Sequence, residues 1–176
     1  MNLKKTILCF LLALFCGNLL AQEKTQKMLP ANPDLTKLEE ARKIRKSNPK
    51  QAIKIIEGLL GKRKKTRDRL VESEAYLLLG NIYEDIKQPE LAIQRYEQSL
   101  NALGKSGFPE QQAKGWLAKG NVELETKNYK AAENSFQMCL NLTSDKNIVA
   151  QCIEGQADLA ILTKDFSRGK ELNESL

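Results

Sequence analysis

The chain contains no histidine. That removes the commonest general base and the commonest zinc ligand. Cysteine is scarce. Cys9 and Cys16 fall in an apolar N-terminal stretch, which leaves Cys139 and Cys152, a poor metal set without histidine. There is no Gly-x-x-x-x-Gly-Lys-Ser/Thr phosphate loop and no Gly-x-Ser-x-Gly turn. Carboxylates are frequent, but pairs such as Glu84-Asp85 and Glu123 with Glu125 have the spacing of solvated helix faces. The expectation is a protein that is not an enzyme, with no cofactor and no metal. Sustained period-2 alternation is also missing, which argues against strands. No uncharged apolar run reaches the roughly 20 residues that span a bilayer as a helix.

The N-terminus has its own pattern. Lys4 and Lys5 precede an uncharged apolar stretch, Ile7 to Leu20, and Ala21-Gln22 offers a small residue for cleavage. This reads as a signal peptide over residues 1–21, followed by a polar leader over 22–33. The mature chain is then expected to be exported, to the periplasm, with no membrane span. Charge is divided along the chain: Leu35 to Leu70 sums to +9 and Val71 to Leu176 to −5. The densest run, Lys62-Arg63-Lys64-Lys65, can attract anions. Export makes nucleic acid an unexpected partner, and a solvated loop is the simpler reading. In an oxidising compartment Cys139 and Cys152 can bridge, or each can serve as a small buried residue. The sequence leaves that open.

The rest reads as helix after helix. Pro33, Pro49, Pro89 and Pro109 stand where first helical turns begin, a place where the missing N–H costs nothing. Asn32, Asn48, Thr66 and Ser144-Asp145 are capping candidates. Gly58, Gly61, Gly104 and Gly107 suit helix ends, where left-handed geometry is common. Helices are predicted over 34–47, 49–61, 67–87, 89–103, 109–126, 129–143, 146–163 and 166–175. They make four pairs.

Two of the pairs share a pattern. Tyr76, Leu79, Gly80 and Tyr83 are followed by Ala92 and Tyr96; 40 residues later come Trp116, Gly120, Ala132 and Phe136. This resembles the tetratricopeptide repeat, a helix pair in which small residues let helices approach and aromatics fill the gaps. The third pair departs from the pattern with Lys119 in place of Leu and Glu123 in place of an aromatic. The outer pairs are weaker: Ala52 but Glu40 in the first, Ala157, Phe166 and Gly169 in the fourth. The resemblance covers residues 34–176 and implies an all-α, right-handed solenoid of about four helix pairs. Its spacing near 40 is similar to that of exported repeat regions in bacterial signalling proteins.

In such repeats the first helix of each pair lines a concave face that holds another protein or peptide. The resemblance places Leu77, Asn81, Glu84 and Asp85 there from the second pair. Lys114, Leu117, Asn121 and Glu125 follow from the third, and Glu154 and Asp158, with Gln151 and Ile161, from the fourth. The amides can bind a peptide backbone, and the acidic groups favour a basic segment. The implied function is an exported scaffold for protein or peptide binding. The alternative is the periplasmic sensory input of a truncated membrane histidine kinase or transcriptional regulator. Leu159, Ile161, Leu162 and Phe166 near the C-terminus form an apolar edge through which the chain can self-associate.

Overall fold

The structure is a computed structural model that describes residues 32–61, 68–104 and 107–165. The expected signal peptide, nearly all of the leader, the Lys62–Lys65 run, Thr66 and the eighth helix with Phe166 and Gly169 lie outside these residues. Seven helices occupy the described part: α1 Pro33–Ile44, α2 Pro49–Leu60, α3 Arg69–Asp85, α4 Pro89–Leu103, α5 Pro109–Glu125, α6 Tyr129–Leu142 and α7 Lys146–Leu162. None is long and apolar enough to cross a membrane.

The helices pack as pairs, α1 with α2, α3 with α4 and α5 with α6. The first helices α1, α3, α5 and α7 also touch in succession, whereas α2, α4 and α6 do not touch one another. The result is an all-α solenoid with an inner layer made of first helices. Its core runs through the array in three clusters. One joins the first pair to α3 around Ile56, Leu59, Leu78 and Ile82. A second, Ala92, Tyr96 and Val122, joins the middle pairs. The third, around Leu117, Phe136 and Ile148, carries α7.

The turns inside the pairs repeat as closely as the side chains do. Lys87, Lys127 and Lys164 each take left-handed backbone, with φ of 61, 62 and 63°. Behind each, the next amide reaches back five residues: Gln88 N to Tyr83 O at 2.8 Å, Asn128 N to Glu123 O at 2.8 Å and Asp165 N to Ala160 O at 2.7 Å. The lysine amides reach back three residues, to Glu84, Leu124 and Ile161. This is the Schellman termination, which satisfies carbonyls that the helix leaves open. It ends α3 at Asp85, α5 at Glu125 and α7 at Leu162, one or two residues before the predicted limits. Ala157 precedes Lys164 by the same seven residues that separate Gly80 from Lys87 and Gly120 from Lys127. The fourth pair therefore keeps the register.

Several local expectations change. α1 stops at Ile44, short of the predicted 47, because Asn48 turns the chain with its amide on Ile44 O (2.7 Å) and its side chain on Gln51 N (3.2 Å). Gly58 lies inside α2, and Gly61 caps it in right-handed backbone; only Gly104 and Gly107 are left-handed among the four glycines proposed for turns. Asp68 caps α3 by accepting from Leu70 N at 2.8 Å. Asp145 caps α7, accepting from Asn147 N and Ile148 N.

Candidate functional site: the inner face

The small residues set the spacing of the layers. A Cβ on Gly80 would overlap the Tyr96 ring, and one on Gly120 would stand 2.8 Å from Phe136. In the two middle pairs the aromatic of the second helix packs directly on the glycine of the first. Gly155, which the pattern did not single out, does the same between pairs: its Cβ would fall 2.5 Å from Phe136. Ala92 and Ala132 are fully buried beside these contacts, Leu79 is buried, and Tyr76, Tyr83 and Trp116 pack partly buried against the clusters.

The departures in the third pair compensate each other. Lys119 and the buried Glu123 are one helical turn apart, with Nζ 3.5 Å from Oε1. Ser135 donates to Glu123 Oε2 at 2.6 Å, and Lys119 also reaches Glu97 at 3.1 Å. The ammonium stands 5.1 Å from the centre of the Trp116 ring. A paired polar cluster thus replaces the usual Leu and aromatic, which satisfies a carboxylate that burial would otherwise penalise. Cys139 on α6 and Cys152 on α7 are buried and joined as a disulfide, their Cα atoms 6.5 Å apart.

On the inner face, seven of the twelve proposed contact residues share one depression of about 370 Å³. Leu77, Asn81 and Glu84 come from α3, and Lys114, Leu117 and Asn121 from α5. α7 closes the far side with Ile148 and Gln151, and Ala118 completes the lining. The sequence pattern overlooked Ile148 and Ala118. The periodic apolar face of α7 was the signal for Ile148. The other five residues lie elsewhere. Asp85 pairs with Arg45 at 3.5 Å. Glu125, Asp158 and Ile161 line a second depression, and Glu154 is exposed one turn before Asp158 on α7.

Polar partners change the charge expected of this face. Arg42 holds Glu74 at 3.3 Å, and the Tyr96 hydroxyl donates its one proton to Glu84 Oε2 at 2.6 Å, with the Asn81 side-chain amide 2.9 Å from the same phenol oxygen. The acidic groups of α3 are therefore engaged within the array. Arg45 and Asp85 stand 40 residues apart, one repeat, so opposite charges at one repeat position were the readable sign. Burial, and then the Glu84 carboxylate, push the Tyr96 phenol well above the ordinary tyrosine range. The Asn81 side chain is thus held beside the Tyr96 hydroxyl. Phe136 has no hydroxyl to hold Asn121 in the same way. Among the described residues the Lys114 ammonium has no ion partner.

The architecture defines a class: a helical repeat protein whose inner layer gathers side chains from successive units into one lining. The tetratricopeptide repeat profile matches residues 73–102 and 113–146. Human "Tetratricopeptide repeat protein 21B" is 30% identical over 107 residues, which cover 60% of this chain and 7% of that protein. The two middle pairs, α3–α4 and α5–α6, are tetratricopeptide repeats.

Proposed function

We propose that the protein is an exported, non-enzymatic scaffold that holds an extended segment of another polypeptide along α3, α5 and α7. One observation carries this reading. Three consecutive first helices contribute apolar side chains (Leu77, Leu117, Ile148) and amides (Asn81, Asn121, Gln151) to a single depression. Apolar contacts supply the driving force for association, while amides match the alternating donors and acceptors of a peptide backbone. The repeat family supports the scaffold role. The Cys139–Cys152 disulfide supports an oxidising compartment, and the N-terminal pattern supports export by a cleaved signal.

Asn81→Ala with Asn121→Ala tests the contact. Two lost hydrogen bonds at about 1 kcal/mol each weaken binding by roughly tenfold or more. Quantitative crosslinking recovery should fall accordingly, beyond the small drop in the thermal melt expected from losing the Asn81 contact with Tyr96, and Asn121→Ala alone should weaken recovery with an unchanged melt. Equal recovery by the double variant and the parent overturns the reading. Export is tested by N-terminal sequencing of the protein from cell fractions. A start at Gln22 in the periplasmic fraction is expected; intact Met1 protein retained in the cytoplasm contradicts it.

A further inference from the structure

Resting on that reading, we infer that the depression at the C-terminal ends of α5 and α7 is an anchor pocket. It takes a large aliphatic side chain of the bound polypeptide, flanked there by Lys or Arg.

One repeat position changes character along the array. In the second pair it is Glu84-Asp85, in the third Leu124-Glu125 and in the fourth Ile161-Leu162. The spacings are 40 and 37 residues, the same as those of the left-handed lysines Lys87, Lys127 and Lys164. These pairs therefore occupy equivalent places at the ends of α3, α5 and α7. Two carboxylates give way to one, and then to none.

At the apolar end the chain exposes what a folded protein normally covers. Ile161 and Leu162 are 56% and 54% exposed, the highest values among the large apolar residues described. Both line a depression of about 420 Å³ together with Leu124 and Tyr129. Contiguous exposed apolar surface of this kind marks an interaction site more often than scattered single residues do.

Charge decides what accompanies the aliphatic group. Glu125 and Asp158 sit on the pocket lining, and Glu154 follows Asp158 one turn back on the same exposed stripe. None of the three makes an ion pair or hydrogen bond among the described residues. On α3, by contrast, Arg42 and Arg45 engage Glu74 and Asp85. Lys127 also lines the pocket. Two lining carboxylates against one lining ammonium leave the pocket net negative, and Glu154 adds to this one turn away. A partner cation beside an aliphatic anchor complements both features, and an acidic flank is repelled.

The test uses a nonapeptide with one central leucine between two arginines in a Gly-Ser background. Its counterparts replace the leucine by glycine or both arginines by glutamates. Each is titrated into 15N-labelled full-length protein by NMR. The leucine–arginine peptide should shift Leu124, Ile161 and Leu162, and bind at least fivefold more tightly than either counterpart. Ile161→Ser with Leu162→Ser alters only exposed side chains, and should lower affinity at least fivefold with no change in the rest of the spectrum. Glu125→Gln with Asp158→Asn should remove the preference for arginine over glutamate flanks. Equal affinity for the glycine counterpart overturns the anchor, as does binding insensitive to the serine pair. Shifts confined to Leu77, Leu117 and Asn121 overturn the pocket while the scaffold reading stands. A loss of polypeptide crosslinking at Asn121 defeats the scaffold reading itself.

Discussion

Tyr96 joins the fold to the inner face. Its ring fills the space that Gly80 leaves open, and its hydroxyl emerges beside Asn81 and Glu84. Gly80→Ala should cost about 1–3 kcal/mol, the usual range for overpacking. Combining it with Tyr96→Leu should recover part of that loss, because contacting residues couple in a double-mutant cycle; chemical denaturation of the four proteins measures the coupling. Additive losses would show that the two do not touch. The raised phenol pKa also fixes a pH dependence. Unfolded tyrosine ionises near 10 while buried Tyr96 stays protonated, so the native state binds more protons at high pH. Its contribution is complete below about pH 10 and declines above it, by up to about 1.4 kcal/mol per pH unit. Tyr96→Phe should make the alkaline loss of stability shallower. The aromatic and small positions of the middle pairs were legible because their packing depends on residue size at fixed spacing. The hydroxyl bonds were not, since spacing alone cannot show where a phenol tip arrives. Glu123 was misleading for a similar reason: its partner Ser135 lies on the neighbouring helix.

At the scale of the element, the proline-led starts of α2, α4 and α5 were readable, because proline at a first turn has few alternatives. The ends were harder. Glycine was expected to supply left-handed backbone, yet three lysines do so within the pairs. A non-glycine residue pays about 1–2 kcal/mol in that region, partly offset by an ammonium at a helix C-terminus. Lys127→Gly should therefore stabilise the protein by about 0.5–1 kcal/mol, while Lys127→Val should destabilise it by about 1 kcal/mol or more. Paired urea melts distinguish the two signs. The disulfide acts on the same scale, tying α6 to α7 across 13 residues of sequence. Cys139→Ala with Cys152→Ala should lower stability by about 3 kcal/mol, as expected for a loop of this length, and thermal unfolding measures it. The sequence could present this pair only as a candidate, because the approach of two helices is a tertiary fact.

Across the whole molecule, the repeat places side chains of the first helices α3, α5 and α7 in a common lining. The alignment on Gly80 and Gly120 was sufficient to put six residues around one depression. It could not show that Arg42 and Arg45 engage the carboxylates of α3, because the first pair matched the repeat weakly. The inner face is therefore graded: neutralised at α3, amide-rich at its centre and, at α7, apolar with carboxylates that have no partner among the described residues. The central claim is that this face, and not the outer layer, holds another polypeptide. Site-specific photocrosslinking tests it most directly, with a photoreactive residue at Asn121 on α5 or at exposed Asn134 on the outer helix α6. The account predicts a discrete polypeptide adduct from position 121 that an Asn81→Ala background depletes, and none from position 134. Equal adducts from both positions, or adducts from 134 alone, would contradict it.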